Sequence, residues 1–470
     1  METRNKISFF TLIFKREFGK LWIGQLMSNF GSNFSRIALI FLIFQLTGSA
    51  LGIAVLGIVQ VLPIILLSPF AGVVVDRFDR QRIMIISDIM QGITMIFVPF
   101  SIVLPASIKL FSLYFVVFIN NCFFQFFYPA RQASIPHLVT TEELMSANSL
   151  SASGFQLSQL LGPVAAGIFI YLFNYDFAFF FDGITFLFSA LMIWTIRAYF
   201  SENRLKKEVS VKMVLSDLQQ GAVFIARNSI LLYISFFFAI VMFAIGMVNA
   251  LFIPFLQIDL GLGEGGEAVF GFIVSLAALT GLLSSVIMGK RNTRKPIYTM
   301  DIGLIMAGLI VTGVGLSTEL ASLLNISVPT QLNTLTGLSL PPEIIPVAFI
   351  FSFVGMMNIL IGIPIQTITQ RLVPDHLRGK VFAFQNILIN IANITGMVIA
   401  GASSLMISIK NIILFSGILI LILTIGGFFL AILANLEGKL ANYLATDTSF
   451  QLPVQESYSI EESKLGTEGK

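Results

Sequence analysis

Gly72-Val-Val-Val-Asp-Arg-Phe-Asp-Arg-Gln-Arg82 is the segment that decides the fold of this 470-residue chain, because it is short, strongly charged and flanked by long apolar stretches. A membrane-spanning helix cannot hold so many charges at low cost. The segment must therefore lie at a membrane surface, and its excess of Arg favours the cytoplasmic side.

The composition of the chain agrees with a membrane protein. Apolar residues make up 56% of the chain and charged residues 11%, and the mean hydropathy is +0.90, well above that of a soluble domain. The single Cys122 excludes a disulfide framework and a cysteine-ligated metal site. His137 and His376 lie in separate loops without a nucleophile–base or metal-ligand pattern. We therefore expect no cofactor, no metal, no nucleic-acid partner and no enzymatic activity.

Twelve apolar segments are long enough to cross a bilayer core of about 30 Å. The predicted fold class is therefore an all-α membrane protein. The predicted spans cover residues 21–45, 50–75, 83–104, 110–128, 149–173, 177–196, 229–256, 268–289, 297–316, 344–368, 381–407 and 411–434.

The positive charges predict the orientation of the chain. If the N-terminus is cytoplasmic, 25 of the 28 Lys and Arg residues lie inside, Lys109 and Lys410 lie outside, and Arg36 lies within a span. The positive-inside rule therefore predicts a multi-pass protein of the cell membrane with both termini in the cytoplasm. The Arg- and Lys-rich start runs directly into the first span, without a signal-peptide pattern.

The chain divides into two halves at its longest internal polar stretch. Within that stretch, Val211 to Ile225 has the apolar spacing of an amphipathic helix at the membrane surface. Similar turns after spans 4 and 10, with an Arg, a Pro and a His, form a weak internal repeat that supports the division. The predicted domains are a cytoplasmic N-terminus (1–20), an N-terminal six-helix bundle (21–196), a cytoplasmic linker (197–228), a C-terminal six-helix bundle (229–434) and a disordered cytoplasmic tail (435–470).

The charged segment, with its Gly followed by Asp-Arg-x-x-Arg, resembles the loop 2–3 signature of the major facilitator superfamily. The resemblance implies twelve helices in two pseudo-symmetric six-helix bundles. It also implies that Asp76 caps the start of span 11 and that Gly72 lets span 2 end close to its neighbour. Arg77 and Arg80 would hold the segment at the inner surface. The alternative is a set of ordinary inside-positive charges. The family has Gly at the position of Asp79, so we expect a different turn geometry here.

A second motif lies on span 5, where small residues recur at every fourth position beside a Pro, a pattern that permits close packing and a kink. Its core, Gly162-Pro163-x-x-x-Gly167, preceded by Gly154, resembles the signature of antiporter-type exporters of the same family. With the start of span 1 and the Pro129-Ala-Arg131 turn, the similarity covers about residues 20–434. It points to the macrolide-efflux and enterobactin-exporter branch, and it implies proton-driven export of an amphipathic small molecule.

In this family spans 1, 4, 7 and 10 line the central cavity, so polar residues on the spans are candidates for substrate binding. For each Asn and Gln the alternative is hydrogen bonding between helices. The candidate cavity residues are Gln25, Asn29, Arg36, Asn121, Gln125 and Asn358.

The acidic residues within the spans lie on spans that are peripheral in this fold, namely Asp88, Asp182 and Asp301 on spans 3, 6 and 9. We expect Asp88 to pair with Arg131 or with the arginines of the charged segment. No acid lies on the expected cavity-lining spans apart from Glu343 at the outer end of span 10. The residue that carries the coupling proton is therefore unassigned.

Arg36 has two interpretations. It either pairs structurally with Asp182 or Asp176, or it gives the cavity a positive charge that attracts a neutral or anionic, siderophore-like substrate. We expect a monomer in the lipid bilayer that exports a drug- or siderophore-like small molecule in exchange for protons. The alternatives are a lipid or lysophospholipid transporter of the same fold and, more remotely, a membrane-embedded enzyme.

Overall fold

The computed structural model describes residues 16–140, 143–197, 211–263, 266–290, 295–328, 333 and 340–446. In these ranges the chain is helical without β-strands, and twelve helices are long and apolar enough to cross a membrane. The predicted all-α membrane fold is confirmed. The spanning helices are α1 (Arg16–Thr47), α2 (Ala50–Arg77), α3 (Arg80–Val103), α4 (Ala106–Ser134), α5 (Leu144–Phe173), α6 (Tyr175–Trp194), α7 (Ser229–Pro254), α8 (Gly266–Lys290), α9 (Pro296–Gly315), α10 (Ile344–Leu372, interrupted at Phe353), α11 (Asp375–Ser403) and α12 (Ile409–Leu433).

The same helix pairings recur in the two halves of the molecule. In the N-half (α1–α6), α1 packs on α5 and α6, α2 on α4, and α3 on α4 and α6. In the C-half (α7–α12), α7 packs on α11 and α12, α8 on α10, and α9 on α10 and α12. Each C-half pair is the N-half pair shifted by six helices, so the two bundles are pseudo-symmetric. The halves meet chiefly where α2 lies against α11 and α5 against α8.

Three apolar cores show where the two halves are joined and where they are separate. We call the side with the start of α1 and the end of α4 the cationic face, since it carries Lys20, Arg80, Arg131 and Lys380. Near the opposite face one core joins residues of both halves. Near the cationic face each half has its own core. The molecule is therefore closed at the opposite face and divided at the cationic face.

The turn between α2 and α3 consists of Phe78 and Asp79. The Asp79 carboxylate accepts a hydrogen bond from the backbone N–H of Arg82 at 2.8 Å and caps α3. The φ angle of Asp79 is −63°, which an L-residue adopts without strain. The Asp at the position of the family's Gly is therefore explained by helix capping.

A helix in the linker (Val211–Arg227) packs against the start of α11. Asp217 forms an ion pair with Lys380 at 2.7 Å, and the Lys380 ammonium donates to Gln220 at 2.8 Å. Ile225 reaches into the C-half core. The amphipathic segment predicted from the sequence is thus a helix, and it is anchored to the C-half.

The segment after α12 corrects the prediction of a disordered tail. Residues Leu436–Thr446 form a helix, and the Glu437 carboxylate accepts hydrogen bonds from the backbone N–H groups of Ile297 and Tyr298 at 3.1 and 3.3 Å. Burial raises the pKa of Glu437, and these two bonds oppose the rise. The carboxylate caps α9, which holds this helix in place. The rest of the predicted tail lies outside the described residues.

Candidate substrate cavity

A cavity of about 990 Å³ lies between the two halves. Helices α1, α2 and α5 of the N-half and α7–α11 of the C-half line it, and α4 contributes none of the lining residues. Aromatic rings close its end toward the opposite face. Phe252 stacks on Phe351 with ring centroids 4.4 Å apart, and Phe270 lies 5.8 Å from Phe41 of the N-half. The cavity therefore has an aromatic roof to which both halves contribute.

Most of the cavity wall is apolar, and among its described residues Arg36 is the one that carries a charge. The exposed Arg36 guanidinium donates to Gln159 Oε1 of α5 at 3.0 Å and to the Asn33 side chain one turn earlier. These bonds hold the charge at the cavity surface and leave other donors of the guanidinium for a ligand. The uncharged polar residues of the wall are Gln60, Ser153, Gln156, Gln159, Asn249, Ser285, Asn358 and Asn393.

The structural pairing that was one interpretation of Arg36 is not formed. The Asp182 carboxylate accepts hydrogen bonds from the hydroxyl groups of Ser32 and Ser35, and its residue is 1% exposed. Asp182 is therefore satisfied by α1 without a cation. The hydrogen bonds of Arg36 go to Asn33 and Gln159, so among the described residues no acid pairs with it, and its role toward a substrate stays a prediction.

Of the six predicted cavity residues, Arg36 and Asn358 line the cavity. Gln25 and Asn29 instead line a crevice of about 10 Å³ near the cationic face. The Asn121 amide donates to Val117 in its own helix at 2.9 Å, and Gln125 is likewise absent from the cavity wall. Asn121 and Gln125 lie outside the wall because α4 packs against α2 and α3, whereas Gln25 and Asn29 belong to the part of α1 that is nearer the cationic face.

Within the charged segment, Arg80 ties the α2–α3 turn to the end of α4. Its guanidinium donates to the carbonyl oxygen of Ala133 at 2.8 Å and lies 2.7 Å from His137 Nε2. Arg77 is exposed. The surroundings of Gly72 and of the Asp76 side chain lie outside the described part of the structure, so the close packing at Gly72 and the capping of α11 by Asp76 stay predictions.

The small residues of the span 5 motif face two different helices. A Cβ added to Gly154 would lie 3.0 Å from Trp22, and one added to Gly162 would lie 2.7 Å from Asn33, both on α1. A Cβ added to Gly167 would lie 2.6 Å from the backbone oxygen of Glu267 on α8. The Pro163 carbonyl also contacts α8, at Gly271. The motif therefore packs α5 inside its own half and across the interface.

The predicted pair between Asp88 and Arg131 is not formed either. Among the described residues neither oxygen of the buried Asp88 carboxylate has a hydrogen-bond partner of ordinary geometry, although the Ser189 hydroxyl lies nearby. Arg131 instead donates to Gln25 Oε1 at 3.3 Å and lies over the ring of Tyr128. The partner of Arg131 is therefore the Gln25 side chain and not the predicted Asp88 carboxylate.

Glu267 is an interface residue that the sequence reasoning missed. It lies in the first turn of α8, is 4% exposed and accepts a hydrogen bond from the Tyr175 hydroxyl of α6 at 2.8 Å. The bond joins the two halves near the opposite face. The predicted span 8 starts at residue 268, whereas the observed helix starts at Gly266. A prediction that started two residues earlier would have included Glu267 in the span.

Comparisons with known proteins agree with this architecture. The model of the Major Facilitator Superfamily matches residues 21–396. Macrolide efflux protein A of Streptococcus pyogenes is 24% identical over 422 residues, which cover 87% of this chain and 95% of that protein. The uncharacterized MFS-type transporter YfiS of Bacillus subtilis is 25% identical over 384 residues, covering 81% and 84%.

Among solved structures, a bacterial homologue of the iron transporter ferroportin in an inward-facing state superposes with a TM-score of 0.63. The two chains are 15% identical, and the match covers 88% of this chain and 98% of the other, so the likeness concerns the fold. The family consists of transporters and not of enzymes, as the sequence predicted. Twelve spans in two repeated bundles around a central cavity, together with the family match over most of its length, show that this chain belongs to the Major Facilitator Superfamily.

Proposed function

We propose that this transporter is a proton-coupled exporter that moves an amphipathic small molecule out of the cell by alternating access. The similarity to a macrolide efflux protein over most of both chains supports export. The distribution of Lys and Arg supports a cytoplasmic cationic face, with both termini inside. In that orientation the closed face is the outer one. The cavity would then be closed toward the outside, where the two halves share an apolar core, and no shared core would close it toward the cytoplasm. Such a cavity is suited to take up a substrate from the cytoplasm for export.

The charge of the cavity supports a neutral or anionic substrate. Its volume of about 990 Å³ suits a drug-sized molecule. Arg36 is the charged residue among the described lining residues, and it is held in place by Gln159. A cationic ligand would face this guanidinium, and none of the described lining residues supplies a compensating carboxylate, while an anionic group would gain a charge-assisted hydrogen bond. This single observation carries the proposed substrate class.

The test compares three amphiphiles of different charge in everted membrane vesicles: fusidate (anionic), chloramphenicol (neutral) and erythromycin (cationic). We expect transport of fusidate or chloramphenicol in preference to erythromycin. Arg36→Gln should weaken the apparent affinity for fusidate by roughly tenfold to a hundredfold, because a hydrogen bond to a charged group contributes about 1.5–3 kcal/mol. Arg36→Lys should retain part of the affinity, since it keeps the charge and loses the planar fork.

Lys109→Gln is the matched control, because it removes one positive charge from the opposite face and leaves the cavity unchanged. Preferential transport of erythromycin that is unaffected by Arg36→Gln would contradict the proposed substrate class. A loss of folded protein in Arg36→Gln that Asp182→Asn restores would assign Arg36 to structure instead.

A lipid or lysophospholipid transporter is the second candidate, and the long apolar wall that α7 and α8 give the cavity favours it. An acyl chain could lie along that wall with its headgroup at Arg36. Movement of a fluorescent lysophospholipid into vesicles that hold the transporter, without transport of the three drugs, would replace the exporter proposal with this one.

A further inference from the structure

The carboxylate of Asp88 is unlike those of the other buried acids in the described spans. Asp182 accepts hydrogen bonds from two serine hydroxyls. Asp301 accepts one from the Tyr233 hydroxyl at 2.7 Å, and Glu267 accepts one from the Tyr175 hydroxyl. Asp88 is 1% exposed, and both of its oxygens lack a hydrogen-bond partner of ordinary geometry. An ionised carboxylate in such a site is costly, and binding a proton removes the charge.

A chain of polar groups leads from Asp88 toward the cationic face. The Ser189 hydroxyl of α6 is within reach of the carboxylate. Gln25 of α1 donates to Ser189 Oγ at 3.4 Å, and Arg131 of α4 donates to Gln25 at 3.3 Å. Gln25 and Arg131 line the crevice of about 10 Å³, which is about the room that one water molecule needs. Arg131 is the charged member of this series of polar groups, and hydrogen bonds through Gln25 and Ser189 connect it to the surroundings of Asp88.

Helix α1 joins this chain to the substrate cavity. Gln25 and Arg36 lie on the same helix, about 16 Å apart along its axis at 1.5 Å per residue. A change of charge at Asp88 alters what Ser189 can donate and accept, and therefore where Gln25 and its helix are held. The position of α1 in turn sets the position of Arg36 in the cavity.

We propose that Asp88 is the site that binds the coupling proton, and that the chain Ser189–Gln25–Arg131 links its protonation to the position of α1. This inference rests on the proposed proton-coupled function and names the residue that carries it out. The proton binds one carboxylate oxygen of Asp88 and leaves from the same atom, so no other group is consumed.

The first test needs no substrate. Purified full-length protein is titrated with pH while the carbonyl stretch of protonated carboxyl groups is followed by infrared difference spectroscopy. We expect a titrating carboxyl band in the wild type that is lost in Asp88→Asn. The band should remain in the matched controls Asp182→Asn and Asp301→Asn, which remove buried acids that already have hydroxyl partners. Persistence of the same band in Asp88→Asn overturns the proposal.

The second test asks whether this proton is the coupled one. In proteoliposomes, Asp88→Asn should lose the accumulation of fusidate that a proton gradient drives in the wild type. It should retain the exchange of labelled for unlabelled fusidate, since the cavity is intact. A purely structural role of Asp88 would reduce both activities together. Asp88→Glu keeps the acid, so it should restore both the infrared band and gradient-driven accumulation. If it is folded and lacks the band, the assignment is wrong.

The two tests separate failure of this inference from failure of the proposed function. A wild type that moves none of the three amphiphiles, or that moves them without a proton gradient, contradicts the proposed function. Gradient-driven transport in Asp88→Asn at the wild-type level contradicts the assignment of Asp88 and leaves the exporter proposal standing.

Discussion

Replacing Gly167 by Ala should open the molecule at the opposite face. A Cβ at this position would lie 2.6 Å from the backbone oxygen of Glu267 and 3.0 Å from the Cα of Ala268, both on α8. An ordinary contact begins at 3.4 Å. Because both neighbours are backbone atoms, no side chain can turn aside, and the helices must separate by about 0.8 Å. The added methyl group therefore destabilises the conformation in which α5 and α8 are in contact.

The expected size of the effect follows from the cost of overpacking. An added methyl group in a well-packed interior costs about 1–3 kcal/mol. The gain in helix propensity from Gly to Ala is the same in both conformations and does not change their ratio. The ratio of open to closed molecules should therefore rise by roughly 5- to 150-fold. If about 1% of the wild type is open at this face, about 5% to 60% of the variant will be.

Spin labels at Phe173 and Met406 would measure this shift, since both residues are exposed at the opposite face, one in each half. The distance between the labels is measured by pulsed electron resonance in a Cys122→Ser background. Gly355→Ala is the matched control, because its Cβ would meet the backbone of Ala277 within the C-half. It should lower stability and leave the distance unchanged.

Gly362 lies in a helix and an added Cβ meets no atom within 4 Å, so Gly362→Ala should leave the distance unchanged and should not lower stability. A wild-type distance distribution in Gly167→Ala, in the presence of the expected destabilisation in Gly355→Ala, would refute the reasoning that α5 and α8 form the closing contact.

Three further predictions concern orientation, the charged segment and the tail. A membrane-impermeant maleimide should label Thr330→Cys, in the Cys122→Ser background, from outside intact cells, and labelling from the inside alone would reverse the proposed orientation. Asp76→Asn should reduce transport without preventing membrane insertion, because a helix cap contributes on the order of 1 kcal/mol to closure of the cationic face; wild-type transport and accessibility would leave Asp76 as a surface anchor. Glu437→Ala should lower the unfolding free energy of the detergent-solubilised protein by about 1 kcal/mol, and Glu437→Gln by less, because the amide keeps an acceptor for α9; equal melting curves for all three proteins would show that the capping bonds contribute nothing measurable.

The fold could be predicted closely because hydropathy alone determines where a chain enters a membrane. The first observed helix starts at Arg16 and the last span ends at Leu433, within a few residues of the predicted limits. The two-residue turn at Asp79 was marked as unusual from sequence, and its capping role required coordinates. Charge was as informative as hydropathy, since Arg36 stood out as a charged residue inside a span and lines the cavity.

Side-chain direction is what the sequence could not supply. Asn120 and Asn121 are neighbours, yet Asn120 donates to Thr94 of α3 at 2.9 Å while Asn121 bonds within its own helix. Neither direction is encoded locally, because the packing of α4 on α3 decides it. The same holds for Gln159, whose role depends on α5 lying beside Arg36. Polar residues of a span can therefore be identified from sequence, whereas the surface they face needs the assembled bundle.

The polar contacts of the molecule are distributed unequally between its two faces. At the cationic face the ion pair of Lys380 with Asp217 links the linker helix to the C-half, and the bonds of Arg80 lie within the N-half. Separating the halves at this face breaks neither. At the opposite face the halves share an apolar core and the Tyr175–Glu267 bond, both of which must break before that face can open. Apolar burial therefore favours the conformation described here, and the free energy for opening the other face must come from a bound ligand or from a change of charge.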